Sequence, residues 1–126
     1  MLGYRFWTDD VHPCYLPDGG ICFASTRCEH GVLCTPNHYL ACTALFRMNS
    51  DGSGLRPLSR GALSEFTPTM MEDGRILYNR WEYVDKGIAA VQSLWVMRPD
   101  GSGSEEFYGD NIANPGVFWQ ARQVPG

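Results

Sequence analysis

The sequence lacks three features that would place it in a familiar functional class. No run of Lys or Arg interrupts its net charge of −4, so the basic surface of a nucleic-acid-binding protein is missing, and anionic membranes are equally poor partners. Its apolar runs fall far short of the roughly 20 residues that span a bilayer. No nucleophile–base pair, phosphate-binding loop or carboxylate dyad stands out. The residues therefore predict an architecture rather than a reaction, and a chain that is not an enzyme by itself.

The composition favours short strands joined by tight turns. The chain has 126 residues, the length of one ordinary domain, and contains 14 Gly and 8 Pro with 13% aromatic residues. Few windows carry a helical period, so we expect an all-β chain with no helix longer than about two turns. Residues 1–10 have neither the basic nor the apolar region of a signal peptide, so any export signal is expected outside this sequence.

One structural unit occurs twice in the sequence and begins again near its end. Each complete copy predicts four antiparallel strands with two hairpin turns, at Asp18-Gly19 and Asp51-Gly52 in the first copy and at Asp73-Gly74 and Asp100-Gly101 in the second. The copies occupy residues 8–59 and 64–108, and residues 115–126 form the start of a third, with a first strand from Val117 to Val124. We expect the short aromatic segment Tyr4–Trp7 to form an edge strand.

A segment rich in cysteine and histidine, residues 27–43, interrupts the first copy. Insertions in the loops of a repeat commonly carry function. Its thiol and imidazole groups are candidate ligands for zinc: Cys28, His30, Cys34, His38 and Cys42. The spacing differs from the paired Cys-x-x-Cys of zinc ribbons, so disulfides or buried free thiols remain alternatives. We expect a segment this long to be cross-linked or metal-bound.

The remaining two cysteines flank the first predicted turn. A two-residue turn at Asp18-Gly19 sets Tyr15 opposite Cys22, which would place Cys14 on the other face of the sheet. Only a three-residue turn would align the two thiols. The preferred disulfide is therefore Cys28 with Cys34 or Cys42, and with five cysteines at least one thiol stays free or pairs between chains.

The order of turns and strands resembles a β-propeller blade of the WD40-like, TolB type. Pro17-Asp18-Gly19 matches the turn of that family before an Ile-x-Phe strand, whereas Glu72-Asp73-Gly74 departs from it at the first position. The resemblance covers roughly residues 8–126. It implies two four-stranded blades and the first strand of a third.

Four further stretches are similar to the propeller-like middle domain of the hydrazine synthase alpha subunit and its bacterial relatives: Ser25–Cys28, Tyr78–Asp85, Leu94–Gly101 and Ala121–Gly126. That family is exported and often multidomain, and its name-giving subunit also binds haem. The sequence contains no Cys-x-x-Cys-His haem-attachment motif, so no catalytic residue of that enzyme is carried over.

Three functions follow as hypotheses. The first is a non-catalytic propeller segment that acts as a scaffold or interaction module in a larger periplasmic or extracellular protein. The second is a segment of a hydrazine-synthase-like redox subunit whose haems come from elsewhere, and the third is a ligand-binding propeller. Two blades cannot close a propeller of about 4 to 8 blades. We therefore expect the chain to belong to a longer polypeptide or to assemble as a homo-oligomer.

Overall fold

The computed structural model describes residues 8–28, 41–61, 63–82, 92–109, 112 and 114–126. These residues form two four-stranded antiparallel sheets, which confirms the all-β prediction. Sheet 1 has the order β1 (Asp10–Tyr15), β2 (Ile21–Ser25), β3 (Ala44–Met48) and β4 (Arg56–Pro57). Sheet 2 has the order β5 (Ser64–Met70), β6 (Ile76–Trp81), β7 (Gln92–Met97) and β8 (Glu105–Tyr108). A single 3₁₀ turn, Thr26–Cys28, is the helical part of these residues, and the predicted edge strand Tyr4–Trp7 lies outside them.

The four predicted hairpin turns form, and all four have the same geometry. In the first, the amide of Leu16 donates to the carbonyl of Gly20 at 2.8 Å, and the amide of Gly19 donates to the carbonyl of Leu16 at 3.0 Å. This pattern is a three-residue loop whose last residue adopts a left-handed conformation that favours glycine. The same pair of bonds closes each of the other turns, and the left-handed residues are Gly19, Gly52, Gly74 and Gly101.

Each loop is also stabilised by the aspartate at its middle position. The aspartate carboxylate accepts a hydrogen bond from the backbone amide two residues further on, at 2.8 to 3.0 Å in all four loops. Such a bond holds the turn without any help from neighbouring strands. The four aspartates are Asp18, Asp51, Asp73 and Asp100.

The two sheets share one pairing register. Ile21 pairs with Met48 in sheet 1, and Ile76 pairs with Met97 in sheet 2. Corresponding residues of β2 and β6 are therefore 55 positions apart (21 to 76), and those of β3 and β7 are 49 positions apart (48 to 97). The first strands also correspond, because each contains a bulge before a proline. The residues at these bulges, His12 and Thr67, have φ angles of 55° and 48°.

The sheets pack with one face of sheet 1 against the opposite face of sheet 2. The front face of each sheet is defined by Cys22, Ala24, Leu45 and Arg47 in sheet 1 and by the corresponding Leu77, Asn79, Leu94 and Val96 in sheet 2. The back face is defined by Ile21, Phe23, Phe46 and Met48 in sheet 1 and by the corresponding Ile76, Tyr78, Trp95 and Met97 in sheet 2. The main core joins the front face of sheet 1 to the back face of sheet 2. Each sheet therefore uses a different surface toward its neighbour.

Two further contacts fix the sheets at the turn end. Arg47 is only 9% exposed, and its guanidinium pairs with Asp18 at 2.7 Å and donates to the carbonyl of Pro99 at 3.2 Å. The turn at Gly101 lies directly against sheet 1, because a Cβ atom at Gly101 would overlap the backbone carbonyl of Leu58. The hairpins thus take part in the packing between the sheets.

The C-terminal segment covers the front face of sheet 2. Phe118 and Ala121 pack against the second core cluster, Leu77, Leu94 and Val96. The predicted strand from Val117 to Val124 does not form, because in the described residues its ladder consists of one parallel bridge between Val117 and Gln92. Side chains make its other links, and the Asn79 amide donates to the carbonyl of Phe118 at 2.7 Å.

Candidate functional site

The first candidate site is a pair of cysteines on neighbouring strands. Cys14 in β1 lies directly opposite Cys22 in β2, and Tyr15 lies opposite Ile21. The prediction that Tyr15 faces Cys22 is therefore wrong. The first turn has a three-residue loop, Pro17 to Gly19, and the additional loop residue shifts the register by one and brings both thiols to the front face.

The two thiols differ in exposure and in acidity. Cys22 is fully buried in the core between the sheets, whereas Cys14 is half-buried beside it. A hydrogen bond from Cys22 lowers the pKa of Cys14, and the positive charge of Arg122 acts in the same direction. The same hydrogen bond, followed by burial, raises the pKa of Cys22. Cys14 is therefore the thiol that ionises first and the better nucleophile.

A second cysteine pair forms where the chain enters and leaves residues 29–40. Cys28 ends the 3₁₀ turn, and its thiol donates to the carbonyl of Cys42 at 3.2 Å. The hydroxyl of Ser64 donates to the sulfur of Cys42 at 3.4 Å. Burial raises the pKa of Cys42 to about 11, and its interactions with the Cys28 thiol act in the same direction.

The structure thus brings together two of the five candidate metal ligands. Cys28 and Cys42 are adjacent, as one of the two preferred disulfide pairings requires. The other three candidates, His30, Cys34 and His38, lie outside the described residues. Among the residues that are described, no group of three or more His, Cys, Asp or Glu side chains is arranged to hold a metal ion. Zinc binding, a disulfide and free thiols are therefore three alternative predictions for this pair.

A third feature, which the sequence did not single out, is a buried acid. Glu65 in β5 is 3% exposed, and its Oε2 atom has no hydrogen-bond partner. Burial raises the pKa of this carboxyl, while a hydrogen bond with Ser59 and the charge of Arg80 oppose the rise. The Arg80 guanidinium lies 4.3 Å from the centre of the Trp95 ring, which holds it beside the back face of sheet 2.

Glu65 and Arg80 line an open cleft of about 530 Å³ between the β4 edge and the turn after β7. Its other polar groups include the side chains of Arg60, Asp100 and Ser104. An acid with a raised pKa beside a guanidinium can donate or accept a hydrogen bond with a small polar ligand. The signal in the sequence was weak, since a single Glu in a strand that also carries Ser and Thr becomes informative only once the packing of the sheets is known.

No known protein family, curated protein or solved structure matches this chain. Within the described ranges there is also no helix with the length and apolar character needed to cross a membrane.

Proposed function

We propose that this chain is a segment of a β-propeller and serves as a non-catalytic scaffold or interaction module within a larger exported protein. The observation that carries this proposal is a backbone contact that occurs at both junctions between one unit and the next. At the first junction, the Glu65 amide donates to the Thr43 carbonyl at 2.9 Å; at the second, the Phe118 amide donates to the Gln92 carbonyl at 3.0 Å. The acceptors, residues 43 and 92, differ by the same 49 residues that relate β3 to β7.

The conformation of the backbone supports the same relation. His12 and Thr67 adopt left-handed conformations at the bulges of β1 and β5, and Gln120 does so with a φ angle of 53° in the C-terminal segment. Non-glycine residues seldom adopt this conformation, so its recurrence at the corresponding place in three units is informative. Residues 116–126 therefore relate to sheet 2 as β5 relates to sheet 1, which is the successive stacking expected of propeller blades.

The partly exposed back face of sheet 1 supports a neighbouring unit on that side. In sheet 2 the back-face residues Ile76 and Met97 are almost completely buried by sheet 1, whereas their counterparts Ile21 and Met48 are only half-buried. They line an apolar groove with Leu55, which is 45% exposed. We propose that the front face of another sheet of the same kind occupies this groove, because that is the surface that covers the back face of sheet 2.

A fusion of two copies in register tests the stacking. Gly126 corresponds to Asp18, because the turn-preceding Pro125 corresponds to Pro17. Joining Gly126 directly to Gly19 of a second copy should complete a four-stranded third sheet. We expect the fusion to unfold in one transition at a higher urea concentration than the single chain, since it covers one more back face.

The matched control joins Gly126 to Gly20 of the second copy and so deletes one residue. This shift places every side chain of the completed strand on the wrong face of its sheet. The proposal predicts a loss of most of the gain in stability for the control. Equal urea midpoints for the two fusions would contradict it, because side-chain register would then have no effect on how the third sheet packs.

A further inference from the structure

The Cys14 and Cys22 pair occupies a position from which a covalent link between two strands can form. The amide of Leu16 donates to the carbonyl of Gly20, so these two residues are a hydrogen-bonded pair of the hairpin. Hydrogen-bonded and non-hydrogen-bonded pairs alternate along antiparallel strands, so Cys14 and Cys22, two positions further on, are also a hydrogen-bonded pair. Such pairs have Cα atoms about 5.5 Å apart, which lies inside the range that disulfides span. Both side chains are on the front face, in contact with the same core cluster.

Access to the pair is one-sided. Cys14 is half-buried in β1, the edge strand of sheet 1, whereas Cys22 is fully buried. A reagent from solvent therefore reaches Cys14 first. This thiol is also the more acidic of the two, because Cys22 donates a hydrogen bond to its thiolate.

We propose that Cys14 and Cys22 form a disulfide that links β1 to β2, with a disulfide-bearing oxidant such as oxidised glutathione supplying the oxidation. The Cys14 thiolate attacks one sulfur of the oxidant, so that a mixed disulfide forms and one glutathione thiolate leaves. Cys22 then loses its proton and attacks the sulfur of Cys14, and the second glutathione thiolate leaves. Two cysteine thiols become one disulfide, while one glutathione disulfide becomes two glutathione thiols that take up the two protons.

This inference is independent of the proposed scaffold role, because it depends on one hairpin only. It also differs from the pairing of Cys28 with Cys42, which the sequence already suggested. The corresponding positions in sheet 2 are Thr69 and Leu77, which pair in the same register but carry no thiols.

Peptide mapping without reduction tests the link directly. Cleavage before aspartate and after arginine releases residues 10–17 with Cys14, residues 18–27 with Cys22, and residues 28–47 with the other three cysteines. After oxidation of the folded chain with oxidised glutathione, we expect the first two peptides to be joined and to separate on reduction. A disulfide among Cys28, Cys34 and Cys42 would remain within the third peptide and would not be confused with it.

Two further measurements protect the test against misfolding. The same oxidation in strong denaturant should give a mixture of linkages in place of one, because the strands no longer hold the thiols together. In the folded protein, Cys14 of the Cys22→Ser variant should alkylate at least about tenfold faster than Cys22 of the Cys14→Ser variant, because Cys14 is the more accessible thiol.

Three results would overturn the proposal. One is a folded, oxidant-treated chain in which both hairpin peptides carry free thiols. Another is a link from the Cys14 peptide to residues 28–47. The third is equal alkylation of the two single-thiol hairpins, which would remove Cys14 as the attacking group.

Discussion

Replacing Gly101 by alanine should destabilise the chain much more than the same change at Gly74. Both glycines end a three-residue hairpin loop, with φ angles of 88° and 85°. A Cβ atom at Gly74 meets no atom within 4 Å, whereas one at Gly101 would overlap the Leu58 carbonyl of the other sheet. The pair of variants therefore separates the cost of the backbone conformation from the cost of disturbing the contact between the sheets.

The expected magnitudes follow from these two costs. A left-handed alanine costs about 1–2 kcal/mol, and this is the whole expected effect of Gly74→Ala. At Gly101 the backbone of sheet 1 must also shift, and overpacking of this kind adds about 1–3 kcal/mol. The additional loss is a substantial fraction of the total stability of about 5–15 kcal/mol of a typical domain.

Urea unfolding followed by circular dichroism measures the difference. With a slope of about 1–3 kcal/mol per molar urea, the midpoint of Gly101→Ala should lie roughly 1 M below that of Gly74→Ala. Equal midpoints for the two variants would refute the reasoning, because they would mean that the turn after β7 does not pack against Leu58 in solution.

Three other predictions concern charge and exposed surface. Hydrogen bonds to their carboxylates lower the pKa values of the four turn aspartates, Asp18, Asp51, Asp73 and Asp100. The stability that these bonds provide should be complete above the unfolded pKa of 3.8 and should be lost as the pH falls through the lower folded pKa values. A titration of the unfolding free energy with acid measures this loss. Glu65→Gln should raise the melting temperature at neutral pH, because burial raises the pKa of this acid and disfavours its charged form. The gain should disappear below the ordinary pKa of 4.5, and an equal gain at neutral pH and below pH 4.5 would contradict this prediction. Leu55→Glu should weaken any self-association seen by light scattering at least about tenfold, because it places a charge in the apolar groove. The control Phe107→Glu changes a similarly exposed residue outside the groove and should leave the association nearly unchanged. Equal effects of the two changes would place the contact elsewhere.

The sheets and turns were predictable because their signals are local. Each predicted hairpin contains an Asp-Gly pair, and all four turns form at that pair. A side-chain hydrogen bond within the loop and a glycine with a left-handed backbone are properties of the loop sequence itself, so they can be recognised without knowledge of the packing.

The prediction of the register at Cys14 was wrong, although the sequence contains the signal that decides it. Asp-Gly is compatible with a two-residue loop and with a three-residue loop, and the two differ by one position in the pairing. Pro17 decides between them, because its fixed φ angle suits the first loop residue of a type I turn. Pro99 precedes Asp100 in the same way in the fourth turn. Pro17 is thus the residue whose signal favours the register with Cys14 opposite Cys22.

The environment of Glu65 could not have been found by the same means. Its burial depends on β5 lying against sheet 1, and the residues that surround it come from distant parts of the chain. Ser59 precedes it by only a few positions, but Arg80 and Asp100 belong to other strands and turns. A local pattern identifies a strand, whereas the desolvation of one side chain is a property of the packed sheets.

The use of opposite faces by successive sheets has a consequence for the number of units in the proposed propeller. A contact between two identical faces is satisfied by a pair, but a front-to-back contact always leaves one front and one back face unmatched. Adding a unit moves the unmatched faces apart without removing them. Only a return of the last sheet to the first can satisfy both, and the number of units at which this happens is determined by the rotation between neighbouring sheets. In such an assembly, substitutions that alter that rotation, such as those at Arg47 or Gly101, would change how many units fit in a ring.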